Sequence, residues 1–224
     1  MNRARLEREN LVIPGPAGEI EALLERRAHA EPRAIAVICH PHPQFRGSLD
    51  NKVVYTLSRA ASGAGAAALR FNFRGVGQSA GEYDGGRGES EDLAAAERWL
   101  AARCPGAPLW RMGFSFGAAM AIKASIGEPC AILVTVAPPV ASLEDYGVRE
   151  GASPQASRWL LVQGERDDVV SPEAVFAWSE RRRPTPEVAR FADAGHFFHG
   201  RLTELRERVL AFLESASGAG GEIG

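Results

Sequence analysis

Short apolar runs alternate with amphipathic segments along most of the chain. The run AIAVIC at residues 34–39 is continuously apolar, which is typical of a parallel strand buried on both faces. Residues 11–27 predict a hairpin that turns at residues 14–18, Pro-Gly-Pro-Ala-Gly. Further strands are predicted at residues 66–73, 109–114, 131–137, 159–163 and 188–191, and helices at residues 53–61, 89–102 (N-cap Ser90), 116–125, 172–182 and 202–214.

This alternation predicts an α/β fold. Strand–helix–strand units repeated five or six times imply right-handed crossovers and a mostly parallel, twisted sheet of about eight strands with helices on both faces. Residues 1–216 are expected to form a single domain, followed by a flexible Gly-rich tail at residues 217–224. The stretch at residues 138–158, between two predicted strands, leaves room for one short helix and not for a large lid.

Composition narrows the possible partners. The chain has 224 residues, is 45% hydrophobic and 24% charged, and carries a formal net charge of -2. Such a balance creates no long-range field for nucleic acid or an anionic membrane, so a small-molecule partner is expected. Cys39, Cys104 and Cys130 form no metal or disulfide pattern, and the first residues lack the apolar run of a signal peptide. We therefore expect a cytoplasmic protein.

The sharpest motif is Gly113-Phe114-Ser115-Phe116-Gly117, which matches G-x-S-x-G between a predicted strand and a predicted helix. A serine displayed on such a tight turn needs small residues two positions before and after it, because the chain passes close to itself. The helix N-terminus offers backbone N–H groups to a developing oxyanion. Ser115 is therefore the candidate nucleophile.

A serine hydroxyl needs a base to take its proton and a carboxylate to orient that base. His196 follows the last predicted strand in the stretch Ala-Gly-His, and Asp167 and Asp168 follow the strand before it. Ligands bind beyond the carboxyl ends of parallel strands, so these side chains are expected to meet Ser115. Both aspartates remain candidates for the acid on position alone.

At these residues the chain resembles the α/β-hydrolase superfamily, and most closely the small, lidless serine hydrolases related to dienelactone hydrolase. The stretch Gly164-Glu-Arg-Asp167-Asp-Val-Val matches that family's G-x-x-D-x-V-V, which implies Asp167 as the acid in preference to Asp168. The resemblance likewise implies His196 as the base. The stretch HPHPQFRGSLDNKVV is similar to HPHP-x-x-G-G-x-x-x-N-K-V-V of one subgroup, with Arg46 where a second glycine is usual.

The same loop supplies the expected oxyanion hole. Pro41 and Pro43 have no N–H, so the backbone N–H of His42 is the natural donor, together with that of Phe116. Substrate contacts are expected from Phe45, Arg46 and Phe197 in the loops after the strands, although Arg46 is also compatible with a solvent-facing position. Tyr83, Tyr146, Phe114 and Phe198 are candidates for either pocket or core, and Arg74 is a candidate for an acidic substrate group or an exposed surface arginine.

Two other kinds of site compete with this interpretation. The pairs His40/His42 and His196/His199 suggest a metal, but prolines hold the first pair in a loop and no acidic or Cys ligand is near, so no metal is expected. The stretch at residues 75–80 fits G-x-G-x-x-A, but a long loop and not a helix follows it. It resembles a structural turn of α/β-hydrolases, and no cofactor is expected.

The sequence therefore predicts a serine hydrolase that cleaves a small carboxylic ester or thioester through an acyl-enzyme. Two alternatives stay open. The same three residues would serve an acyltransferase, and the fold also hosts proteins that bind without catalysis.

Overall fold

The computed structural model describes residues 5–215, so the predicted tail at residues 217–224 lies outside the described residues. The strands are β1 (Leu6–Gly15), β2 (Gly18–Arg27), β3 (Ala34–Cys39), β4 (Ala66–Phe71), β5 (Leu109–Phe114), β6 (Cys130–Val136), β7 (Ala156–Gly164) and β8 (Glu187–Phe191). The helices are α1 (Lys52–Gly63), α2 (Arg87–Arg103), α3 (Phe116–Gly127), α4 (Pro172–Glu180) and α5 (Leu202–Ser215).

The eight strands form one sheet in the order β1-β2-β4-β3-β5-β6-β7-β8. The predicted hairpin forms β1 and β2, and β2 also pairs antiparallel with β4. All the other neighbouring strands are parallel. The predicted α/β fold with a mostly parallel sheet is therefore confirmed. The carboxyl ends of β3 to β8 meet at one edge of the sheet.

Helices cover both faces of the sheet, as predicted. The side chains of α1 and α5 enter one apolar cluster, and those of α2, α3 and α4 enter a second cluster on the opposite face. A buried ion pair ties the sheet to α2, since Arg111 of β5 donates to Glu97 of α2 at 2.6 and 2.9 Å. Arg111 is 1% exposed, so this pair is enclosed by the core.

Some predicted bounds were wrong. Helix α2 begins at Arg87 with Gly86 as its N-cap, because Gly86 adopts a left-handed conformation (φ 86°) that starts the helix early. The Ser90 hydroxyl lies inside the helix and donates to the carbonyl oxygen of Gly86 at 2.7 Å, so Ser90 is not the N-cap.

Between β6 and β7, residues 137–155 contain one 3-10 turn, at Val140–Ser142.

Candidate active site

Ser115 stands on the sharp turn between β5 and α3. Its backbone angles are φ 53° and ψ −121°, a conformation that non-glycine residues rarely adopt. The Ser115 N–H donates to the carbonyl oxygen of Val136 at the end of β6, at 2.9 Å. The strain is thus held by the neighbouring strand, and the side chain remains partly exposed at the carboxyl edge of the sheet.

The glycines on either side allow this turn to form. A Cβ atom on Gly113 would lie 2.2 Å from the carbonyl oxygen of Gly117. A Cβ atom on Gly117 would lie 2.3 Å from the carbonyl oxygen of Cys39, at the end of β3. Small residues are therefore needed at both positions because backbone atoms pack against them. The close approach at Gly117 also brings the loop after β3 against the start of α3.

His196 reaches Ser115 from the loop after β8. Its Nε2 lies 3.1 Å from the Ser115 Oγ, and its Nδ1 lies 2.9 Å from Oδ2 of Asp167. Backbone bonds hold the loops after β7 and β8 together, because the Arg166 N–H donates to the carbonyl oxygen of Ala194 at 3.0 Å. The three residues form one hydrogen-bonded chain, and both His196 and Asp167 are buried.

The Asp167 carboxylate is fully engaged. Its Oδ1 accepts the N–H groups of Val169 and Val170 at 2.9 and 2.8 Å, and its Oδ2 also accepts from the Gln163 amide at 3.0 Å. Burial alone would raise the pKa of Asp167, but the bonds from His196 and the two amides outweigh it and lower that pKa. Asp168 is exposed, and the structure brings Asp167 to His196.

The two residues that carry the expected oxyanion donors, His42 and Phe116, are in contact. The rings of His42 and Phe116 are 5.1 Å apart, on the loop after β3 and the first turn of α3. Within residues 5–215, neither backbone N–H donates to a protein acceptor. Both amides are therefore unpaired among the described residues, as an oxyanion donor must be.

A second histidine, His40, holds this loop in place. The His40 Nε2 accepts the N–H of Phe73 at 3.0 Å, and Nδ1 donates to the carbonyl oxygen of Pro41 at 2.6 Å. Burial lowers the pKa of His40 to about 4, so its ring is neutral at pH 7. Sequence reasoning considered His40 only as a metal ligand, and its loop-fixing role appears once β3 and β4 are paired.

The expected substrate-contacting residues lie around the opening. Phe45 is 81% exposed and its ring is 4.9 Å from that of His42. Phe197 is 45% exposed and its ring is 5.1 Å from that of His196. Arg46 is exposed and has φ 61°, a left-handed conformation that explains why glycine is usual at this position of the related subgroup.

Arg74 is buried, so it is not the exposed surface arginine that the sequence also allowed. Its guanidinium donates to both carboxylate oxygens of Asp92 of α2, at 2.9 and 3.1 Å, and the residue is buried. The Arg74 backbone N–H donates to the same carboxylate. The pair fixes the loop after β4 to α2.

The remaining sequence motifs are structural turns or surface. Gly77 has φ 58°, and a Cβ there would lie 2.2 Å from the Glu21 carboxylate of β2, so the glycine-rich turn packs against the sheet. His199 is exposed. No cluster of three His, Cys, Asp or Glu suited to a metal occurs within residues 5–215. Over the same residues, no helix has the length and apolar character to cross a membrane.

Comparison with known proteins places the chain in a family. A scan of protein-family models finds no match. An α/β serine hydrolase homologue from Coxiella burnetii is 42% identical, with a TM-score of 0.86 over 92% of this chain and 97% of that one. The chain belongs to the α/β serine hydrolase family. The predicted resemblance to this family is thereby confirmed.

Two further relatives match the chain over most of its length. A member without a lid, from Xanthomonas campestris, is 36% identical and superposes with a TM-score of 0.86 over 93% of this chain and 94% of that one. An uncharacterized protein of Rickettsia prowazekii is 36% identical over 206 residues, which is 89% of this chain and 86% of that protein. The alignments with these relatives span almost the whole chain in each case.

Proposed function

We propose that this α/β serine hydrolase cleaves a small carboxylic ester or thioester through a covalent acyl-enzyme, with Ser115 as nucleophile, His196 as base and Asp167 as the orienting acid. The observation that carries the proposal is the unbroken hydrogen-bonded chain from the Ser115 hydroxyl through His196 to the Asp167 carboxylate. Its geometry is that of a serine activated by a neighbouring base.

In the first half of the reaction, His196 Nε2 takes the proton from Ser115 Oγ as this oxygen forms a bond to the substrate carbonyl carbon. The carbonyl oxygen becomes an oxyanion, which accepts hydrogen bonds from the amides of His42 and Phe116. Collapse of this intermediate breaks the bond to the leaving oxygen or sulfur, and His196 returns its proton to that atom. The acyl group remains on Ser115.

In the second half, His196 takes a proton from water, and the water oxygen attacks the acyl carbon. The bond to Ser115 Oγ then breaks, His196 protonates that oxygen, and the carboxylic acid leaves. Asp167 keeps the Nδ1 proton of His196 in place and stabilises the imidazolium in both halves. Each oxyanion donor of this kind contributes about a hundredfold or more to the turnover rate.

The stretch between β6 and β7 forms a 3-10 turn and no large lid, which supports a small molecule as the substrate.

We also propose that the enzyme is cytoplasmic. Cys39, Cys104 and Cys130 are all free thiols in the structure, which suits a reducing compartment.

The proposal is tested with Ser115→Ala and with Ser157→Ala, which removes an exposed hydroxyl at the opposite end of β7, as the matched control. Both are assayed on p-nitrophenyl acetate and S-phenyl thioacetate, and with a serine-directed fluorophosphonate probe. We expect Ser115→Ala to lose labelling and at least about a thousandfold in turnover, and Ser157→Ala to retain both. Unchanged turnover and labelling in Ser115→Ala would disprove the assignment.

The same assay separates hydrolysis from its alternatives. Wild type that is labelled by the probe, but releases acyl products only when an alcohol or thiol is added, is an acyltransferase. Wild type that is neither labelled nor active on any ester is a binding protein of this family.

A further inference from the structure

The direction of proton transfer divides the site into two sides. This inference rests on the proposed function, in which His196 protonates the departing atom, so the leaving group lies on the His196 side of Ser115. The exposed ring of Phe197 borders that side. The acyl group must extend the other way, past the oxyanion donors His42 and Phe116.

Four aromatic rings cluster on this acyl side. The ring of Phe116 lies 5.1 Å from that of His42, 6.0 Å from that of Tyr83 and 5.1 Å from that of Tyr146. The rings of His42 and Tyr83 are 4.8 Å apart. Phe116 is fully buried, whereas the other three rings are partly exposed. Their partly exposed surfaces suit a planar, apolar group, because aromatic rings pack favourably against such a group with their faces and edges.

Two of these rings carry hydroxyl groups that the protein does not use. Within residues 5–215, the phenol oxygens of Tyr83 and Tyr146 have no hydrogen-bond partner. Burial raises the pKa of Tyr83 to about 12, and Tyr146 and Glu89 add to the effect. Burial also raises the pKa of Tyr146. Both phenols are thus protonated donors at pH 7, and they lie within electrostatic reach of each other.

The charges near the cluster do not select an anion. Both oxygens of the buried Glu89 carboxylate accept backbone N–H groups, from Asp84 at 2.9 Å and Gly86 at 2.7 Å. The Lys123 ammonium donates to the carbonyl oxygen of Gly86 at 2.9 Å, and it offsets the Glu89 charge. The exposed carboxylate of Asp145 lies beside Tyr146, and Asp84, next to Tyr83, is paired with Arg87 at 2.8 and 2.9 Å. Arg74, which interacts with Glu89, is paired with Asp92. A neutral acyl group therefore suits this side.

We propose that the acyl part of the substrate is a neutral, planar aromatic group with an oxygen acceptor at its far end, and that the phenol O–H groups of Tyr83 and Tyr146 bind that oxygen. The partly exposed ring of His42 contacts the planar body, and the buried ring of Phe116 packs against His42 from within the protein. A substituted benzoyl ester with a carbonyl or ether oxygen in the para position belongs to this class.

The test compares p-nitrophenyl 4-acetylbenzoate with p-nitrophenyl benzoate in wild type and in the double variant Tyr83→Phe/Tyr146→Phe. The quantity measured is the ratio of kcat/KM for the two esters. Dividing the wild-type ratio by the variant ratio cancels the intrinsic reactivity of each ester. We expect kcat/KM for the 4-acetylbenzoate, divided by kcat/KM for the benzoate, to be about fivefold or more lower in the double variant than in wild type. This is the effect of losing one neutral hydrogen bond.

The two single variants apportion the effect between the tyrosines. Tyr55→Phe is the matched control, because Tyr55 is the third tyrosine of the chain and its hydroxyl instead accepts from Arg8. It should leave the ratio unchanged. An unchanged ratio in the double variant would overturn the inference. Hydrolysis of p-nitrophenyl acetate without hydrolysis of either benzoate would also overturn it. In that second case the proposed function would still stand.

A binding measurement keeps the two proposals separable. Methyl 4-acetylbenzoate and methyl benzoate are titrated calorimetrically into Ser115→Ala, which cannot form an acyl-enzyme, with and without the two Tyr→Phe changes. Tighter binding of the acetyl compound that disappears with the tyrosine hydroxyls supports the acyl site even if no ester is hydrolysed. Equal binding of both compounds would refute it.

Discussion

His40 and His196 are both buried imidazoles, but their hydrogen-bond partners differ in kind. Both ring nitrogens of His40 are committed to backbone groups, one as acceptor and one as donor, so a second proton has no place to bind without breaking a bond. His196 instead has a carboxylate at one nitrogen and a hydroxyl at the other. In the proposed mechanism, the Asp167 carboxylate stabilises the imidazolium that forms on His196 during the reaction.

The low pKa of His40 predicts a pH-dependent stability. Well above a pH of about 6.5 the ring is neutral in both the folded and the unfolded chain, so it adds no pH dependence there. As the pH falls from about 6.5 towards 4, the unfolded chain binds a proton that the folded chain does not, so the free energy of unfolding falls by up to about 3 kcal/mol. Urea unfolding across this range measures the effect.

His40→Gln is the matched variant, because its amide oxygen can accept the Phe73 N–H without titrating. We expect the slope between about pH 4 and 6.5 to be smaller in this variant than in wild type. The lowered pKa of Asp167 contributes stability that is lost as the pH falls through the ordinary carboxyl range, but Asp167 is present in both proteins and adds equally to both slopes. Equal slopes in wild type and His40→Gln would contradict the prediction.

At the level of elements, β5 is the organising strand of the site. It ends in the Ser115 turn, pairs with β3 on one side and β6 on the other, and carries the buried Arg111 that reaches α2. The loop after β3, the turn after β5 and the start of α3 touch through backbone atoms at Gly117. The distance between these backbone atoms therefore leaves no space for a side chain at Gly117.

Gly117→Ala should separate these elements. The new methyl group would lie 2.3 Å from the carbonyl oxygen of Cys39, and a backbone atom at that position cannot rotate away. We expect either a loss of about 2 kcal/mol or more of unfolding free energy or, in folded protein, a large loss of esterase turnover. Denaturant unfolding and assay on p-nitrophenyl acetate measure both.

Gly127→Ala is the control for this prediction, since Gly127 ends the same helix and a Cβ there meets no atom within 4 Å. It should keep wild-type stability and turnover. Wild-type behaviour of Gly117→Ala in both assays would show that the close approach is unimportant.

The buried ion pair between β5 and α2 gives a second prediction at this scale. Glu97→Ala leaves the Arg111 guanidinium without its carboxylate in the core, and we expect a loss of about 3–5 kcal/mol of unfolding free energy. The double variant Glu97→Leu/Arg111→Met removes both charges and should cost much less. Denaturant unfolding of the three proteins measures this. A double variant no more stable than Glu97→Ala would refute this explanation.

How much was predictable from sequence differs between elements. Ser115, Asp167 and His196 each follow a strand within a few residues, so local patterns and strand order predicted that they would meet. The contact of His40 with Phe73 depends on the register of β3 against β4, and local patterns do not contain it. The Arg74–Asp92 pair depends likewise on where α2 begins, which the left-handed Gly86 determines.

Across the whole molecule, the entrance to the site is bordered by exposed apolar side chains. Residues 137–155 pack Leu143 and Val148 into the apolar cluster beneath α2 and α3. Phe45 and Phe197 stay exposed, the first beside His42 and the second beside His196. An apolar leaving group can contact Phe197 directly from solvent.

Phe197→Ser should therefore weaken the reaction with apolar leaving groups. We expect kcat/KM for 1-naphthyl acetate to fall about fivefold relative to ethyl acetate, as for the loss of about 1 kcal/mol of apolar contact. The unfolding free energy should change by no more than about 0.5 kcal/mol, because the ring is exposed. Val12→Ser, at an exposed position of β1, is the control and should leave the ratio unchanged. A ratio that Phe197→Ser leaves unaltered would contradict this role.

The strand order also governs when the chain becomes reactive. Ser115 and His196 are 81 residues apart in sequence, and their contact needs β5, β6, β7 and β8 to stand side by side. Under the proposed mechanism, a chain in which β8 is unpaired has no base beside Ser115. Catalysis therefore requires the strands from β5 to β8 to be paired, and turnover would report on the fraction of molecules in which they are.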